Sequence, residues 1–116
     1  MALKFECSTL AGGVELVSLH GSMTLGRDSQ AVESTIDDMV ATHRTRVIID
    51  LQGVSFVDSA GLGILVSCHG KLHSAGGQLR LAGLNDRVLN VLKITKVDTV
   101  LHIDAAVADA LRALNS

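Results

Sequence analysis

The sequence predicts an α/β fold: a mixed sheet of about five strands with about four helices packed on it, in the order β-β-α-β-α-β-α-β-α. Three observations carry this reading. Two short segments of strand period flank Gly12-Gly13 and read as an opening hairpin. Beyond them, segments of helical and strand period alternate to the end of the chain. Between these, Arg46-Val47-Ile48-Ile49-Asp50-Leu51 is a nearly continuous apolar run, the signature of a strand buried on both faces in a central, parallel position.

Each element follows from a local signal. Leu3, Phe5 and Cys7 alternate with polar residues and predict a half-buried strand. Gly12-Gly13 supplies a turn, and Val14 to Leu19 the second arm, which Gly21 is expected to end. From about Arg27 to His43 the period changes, with Val32, Ile36, Met39 and Val40 on one helical stripe. Asp28, Glu33, Asp37 and Asp38 occupy the wet faces, mostly toward the N-terminal half, where the helix dipole favours acids.

After the apolar run, Gln52-Gly53-Val54-Ser55-Phe56-Val57 reads as a link to a helix from about Ser59 to Ser74. That helix buries Leu62, Leu65, Val66 and Leu72 and stops at Gly76-Gly77. Gln78 to Ala82 alternates as a strand. Asn85 or Asp86 starts a short helix carrying Val88, Leu89 and Leu92. Thr99 to Ile103 is a weaker last strand, and Asp104 is expected to cap a final helix with Val107, Leu111 and Leu114 on one side.

Composition narrows the function. The 116 residues fit a single domain, spanning 1–116, and 47% hydrophobic residues supply one core. Aromatics make up only 2%, so the surface lacks both the anchors of many tight interfaces and platforms for unpaired bases. Formal net charge is -2 with no basic run, which argues against direct nucleic-acid binding. The apolar stretches are too short to span a membrane, and the N-terminus lacks the core of a signal peptide. Cys7 and Cys68 match no metal or redox spacing and read as free thiols, as suits a cytoplasmic protein.

Val57-Asp58-Ser59-Ala60-Gly61-Leu62-Gly63 carries the functional signal. Ser59 follows a buried strand and opens a helix, at the edge where α/β folds place their working loops. A phosphate on Ser59 would meet unpaired N–H groups and the positive end of the helix dipole. Gly61 and Gly63 would let a partner's backbone approach closely, and each costs a helix roughly 1 kcal/mol, so each asks for a reason. The plainer alternative is that Asp58 caps the helix while the glycines ease its packing on the sheet.

Asp58-Ser59-Ala60-Gly61-Leu62-Gly63, placed after Val47 to Leu51, resembles the signature of the STAS domain family, in particular its single-domain anti-sigma factor antagonists. The resemblance covers essentially the whole chain, including the Gly76-Gly77 stop and the turn Thr95-Lys96-Val97-Asp98. It implies a STAS-type sheet and a non-enzymatic protein without cofactor or metal. The implied partners are an anti-sigma factor that is also a serine-protein kinase, and a phosphoserine phosphatase. Ser59 inherits the role of phosphorylated residue, and Gly21, Ser22, Met23, Thr24, Asp58, Ala60, Gly61, Leu62 and Gly63 join it as the partner-binding edge. Two positions depart from the family pattern: Ala60 replaces a frequent second hydroxyl residue, and Gly21-Ser22-Met23-Thr24 lacks the acid often found there. A subunit of a lipid-transport ATPase complex, or a scaffold in a signalling assembly, is the alternative within the same fold.

Other chemistry fares worse. A hydrolase elbow needs glycine two residues before its serine, and Val57 stands there. His69 and His73 have the spacing for one shared zinc, but no glutamate base lies between them and no third ligand accompanies them. His20, His43 and His102 are dispersed, Gly12-Gly13 lacks the lysine of a phosphate loop, and Asp50 is expected to bind loop N–H groups.

Overall fold

The computed structural model describes Ala2–Ser116. Its strands are β1 (Lys4–Thr9), β2 (Glu15–Met23), β3 (Arg46–Val57), β4 (Gln78–Ala82) and β5 (His102–Asp104). Its α-helices are α1 (Arg27–Ala41), α2 (Ser59–Ser74), α3 (Asp86–Ile94) and α4 (Val107–Asn115), so the expected order holds. The strands lie side by side in sequence order, β1 antiparallel to β2 and every later pair parallel.

The apolar run is central, as expected, because its side chains supply both faces of the sheet. Val47, Ile49 and Leu51 pack with Val32, Ile36 and Met39 of α1, Leu65, Cys68 and Leu72 of α2, and Val88 and Leu92 of α3. Ile48, pointing the other way, packs with Val14, Ala82, Ala110 and Leu114, the last two from α4. Three helices therefore cover one face and α4 covers the other. Sequential strand order produces this, since crossovers of one hand that all step in the same direction fall on the same side.

Several local expectations are corrected. Gln52 to Val57 is not a link but the second half of β3. Its register with β2 shifts between Ser18 and His20, so the Gln52-Gly53 that opened the expected link is taken up by an irregularity inside the pairing. Glycine is required there because a Cβ on Gly53 would lie 2.3 Å from His20 Nδ1 and 2.8 Å from the Leu19 carbonyl oxygen. β2 likewise continues past Gly21 to Met23. Gly21 has φ +111° and lets the Ala2 carbonyl pass where a Cβ would come within 2.2 Å of its oxygen.

α1 ends at Ala41, two residues earlier than expected, with His43 beyond it in the left-handed region. The last strand is shorter than expected, since Val97–Thr99 forms a turn of 3-10 helix after left-handed Lys96. Asp104 does not cap α4; it belongs to β5 and its carboxylate accepts two hydrogen bonds from Arg80, at 2.6 and 3.1 Å. The pull of a guanidinium on the neighbouring strand outweighs a local cap. Cys7 lies on an exposed face of the edge strand rather than half-buried, and both cysteines are free. Burial pushes the Cys68 thiol up to about 12, which keeps it unreactive.

Candidate functional site

The edge holding Ser59 is assembled from two chain segments that run out together from β2 and β3. Met23 pairs with Val57 at the end of the parallel ladder, and the Asp58 N–H donates to the Met23 carbonyl at 3.2 Å. The chain after β2 and the start of α2 therefore emerge as neighbours.

Asp58 ties them together. Its Oδ1 accepts from the Gly61 N–H at 2.8 Å, the N-terminal cap of α2. Its Oδ2 accepts from the Leu25 N–H at 3.1 Å, so the same carboxylate also holds the loop ahead of α1. The Gly61 N–H holds this carboxyl below its usual range; partial desolvation opposes the shift and the Leu25 N–H adds to it. The helix-cap reading of Asp58 is thus satisfied, and it leaves Ser59 free. Ser59 is the first residue of α2, exposed, and its hydroxyl is not engaged in a side-chain hydrogen bond among the described residues.

The expected partner-binding residues divide by exposure. Ser59 and Gly63 are exposed, while Ser22, Thr24, Asp58 and Ala60 are half-buried. Gly21, Met23, Gly61 and Leu62 are buried and shape this edge from beneath. The two glycines of the hexamer therefore serve different ends. A Cβ on Gly61 would stand 2.1 Å from the Met23 carbonyl oxygen, so Gly61 lets α2 seat against β2. Gly63 has open space around its missing Cβ and is available to an approaching partner.

Sequence reasoning passed over three features of this edge. Leu25 is 79% exposed, the most exposed large apolar side chain among the described residues, and it stands beside Asp58. Ser55 and Ser22 bring their hydroxyls to 3.4 Å across the parallel pair. Asp28, in the first turn of α1, lines a small cleft with Ser22, Thr24 and Leu25. Asp28 therefore places an acid beside Ser22 and Thr24, four residues beyond Thr24 in the chain. Alternation within Val54 to Val57 was the signal that would have placed Ser55 on a strand.

The other singled-out groups lie apart from this edge. Asp50 Oδ1 accepts from the Gln52 N–H at 2.9 Å, the expected structural use. His69 and His73 stack with ring centroids 5.8 Å apart near the far end of α2. His102 is not unrelated to them: its ring lies 6.4 Å from that of His69. No set of three side chains is arranged to hold a metal ion among the described residues.

The family model for the STAS domain matches residues 9–110. This chain belongs to the STAS domain family. Among its relatives are anti-sigma-B factor antagonists of Listeria monocytogenes, 38% identical over 55 residues, and Bacillus subtilis, 35% identical over 57 residues. These stretches cover 47% and 49% of this chain, and 48% and 52% of the relatives, so about half of each is matched. An anti-sigma factor antagonist from Mycobacterium paratuberculosis has a similar crystal structure, with TM-score 0.84, 25% identity, and 99% of this chain and 96% of that one covered. The phosphorylated form of the Bacillus cell fate determinant SpoIIAA shares the fold, with TM-score 0.74, 16% identity and coverage of 95% and 98%. No helix among the described residues is long and apolar enough to cross a membrane.

Proposed function

We propose that this STAS domain is a non-enzymatic anti-sigma factor antagonist switched off by phosphorylation of Ser59. The observation that carries the reading is the position of Ser59: exposed, at the first turn of α2, beside an Asp58 whose carboxylate is committed to two backbone N–H groups. Relatives named as anti-sigma factor antagonists, and a neighbour of the same fold known in a phosphorylated form, support it.

Unphosphorylated, the edge formed by Ser22, Thr24, Asp58 to Ala60 and Gly63, over buried Gly21, Met23, Gly61 and Leu62, docks an anti-sigma factor in the cytoplasm and frees a sigma factor. That anti-sigma factor is also the serine-protein kinase that modifies Ser59, and it supplies the ATP; this chain contributes no cofactor, metal or direct contact with nucleic acid. Phosphorylation adds about -1.5 to -2 charges. In the docked state this charge must be desolvated next to the Asp58 carboxylate. A loss of about 2.8 kcal/mol weakens binding about a hundredfold, enough to release the partner without any change of fold. A phosphoserine phosphatase resets the switch.

The test is to incubate the purified chain with the kinase and ATP and to locate the phosphate by mass spectrometry. Phosphate is expected on Ser59, and a Ser59→Asp protein is expected to bind the kinase much more weakly. Phosphate elsewhere, or full-strength binding by Ser59→Asp, would sink the proposal.

A further inference from the structure

Far from Ser59, the structure holds a second group of chemistry-bearing side chains around one cavity. His69 lies ten residues along α2 from Ser59, roughly 15 Å of helix. The cavity, about 440 Å³, lies between the C-terminal end of α2, the starts of β3, β4 and β5, and the end of α4. Its polar lining comes from His69 and His73 on α2, His102 on β5, Arg46 on β3 and Gln78 on β4.

The charge balance of this cavity is one-sided. Arg46 donates to the carbonyls of Gly12 and Leu114 and to Asn115 Oδ1, all neutral oxygens, and forms no ion pair with a carboxylate among the described residues. Arg80, in register with His102 on the next strand, is neutralised by Asp104. Lys71, on the same helix, is turned away into ion pairs with Glu33 and Asp37 of α1. α4 contributes only Ala113 and Leu114 to the wall, and Ser116 lies beyond them.

We propose that this cavity is a proton-linked binding site for a small tetrahedral oxyanion of the phosphate class. A neutral imidazole has one N–H to offer, whereas a protonated one has two and a positive charge. His69 lies beside both other rings, and all three line the cavity with Arg46 and no acidic side chain. The direction of the His69 shift agrees: burial, with His73 and His102 beside it, holds that ring below the usual imidazole range. His69 Nδ1 is buried without a hydrogen-bond partner, so no bond at that nitrogen holds the ring against turning toward a ligand. By linkage, anion binding must then draw protons onto the rings, and acid must tighten anion binding.

Sulfate is the suitable probe, because its charge does not change across the pH range in which histidine titrates. Calorimetry of the whole chain with sodium sulfate, against sodium chloride at equal ionic strength, is expected to show at least tenfold tighter sulfate binding at about pH 5.5 than at about pH 7.5. Sulfate is also expected to raise the NMR titration midpoint of the His69 ring, which locates the anion. His73→Gln with His102→Gln, both exposed positions, is expected to reduce the pH dependence and leave the fold intact. Inorganic phosphate and O-phosphoserine then tell a free anion from a phosphoryl group on a larger molecule, and proton-linked binding of either supports the site. The proposal is overturned if chloride matches sulfate, or if binding ignores pH or the paired substitution. It is equally overturned if sulfate does not bind.

Discussion

The two ends of α2 are built on opposite plans. At its N-terminal end one carboxylate, Asp58, satisfies helix and loop N–H groups together and leaves an exposed hydroxyl, Ser59, uncommitted. At its C-terminal end the Gly77 N–H reaches the Leu72 carbonyl at 2.8 Å and the Gly76 N–H reaches that of His73 at 3.0 Å. With Gly76 at φ +82°, this is a Schellman stop, closed by backbone alone. The imidazole of His69 beside it, in contrast, has its Nδ1 buried without a hydrogen-bond partner. One end is pre-organised around an exposed, uncommitted hydroxyl; the other borders a cavity lined by three histidines and Arg46.

The largest effects should come from the glycines that seat each end. Gly61→Ala would place a methyl 2.1 Å from the Met23 carbonyl oxygen, and Gly77→Ala would place one 2.0 Å from that of Thr45. Both contacts are with backbone, so each substitution is expected to cost about 1–3 kcal/mol or more in urea unfolding. Gly63→Ala meets nothing and should instead stabilise the helix by up to about 1 kcal/mol. If Gly61 and Gly63 respond alike, the division between a packing glycine and a free one fails.

Removing the cap should cost less. Asp58→Ala is expected to lower stability by about 1 kcal/mol and to speed amide exchange at both Gly61 and Leu25. Asp58→Asn keeps an acceptor for one of the two N–H groups and should expose the other. Because the folded pKa of Asp58 is depressed, its contribution is present above the ordinary carboxylate range near pH 3.9 and is lost as pH falls below it. A wild-type loss of stability in acid that Asp58→Ala fails to reduce would break this assignment.

The smallest effect belongs to the other end. The folded pKa of His69 is also depressed, and the sign is the same as for Asp58, because in both cases the unfolded chain binds the proton more readily. The neutral ring is favoured by folding, so stability falls as pH drops through the ordinary imidazole value near 6.5. His69→Gln should flatten the thermal-unfolding midpoint between about pH 7 and pH 5. An unchanged slope would place that acid sensitivity elsewhere.

Much of the fold was legible because its signals are local. The Val47 to Leu51 run announced a central strand, Asn85 a helix start through its 2.8 Å bond from the Val88 N–H, and Gly76-Gly77 a stop. Three of the misreadings share one cause. Gln52-Gly53, Gly21 and Asp104 each resemble local punctuation, yet each is answered by a group distant in sequence: His20 and Leu19, the Ala2 carbonyl, and Arg80.

By itself, the sequence determined the order of elements, the two-sided burial of β3 and the position of Ser59 directly after a capping aspartate. These follow from periodicity, turn chemistry and capping, which act over a few residues. Only the tertiary structure decided that Asp58 also holds Leu25, that Gly61 is a packing residue while Gly63 is open, and that His102 and Arg46 stand around His69. Those are consequences of strand register and helix seating, which bring together groups separated by tens of residues and leave no mark in any local pattern.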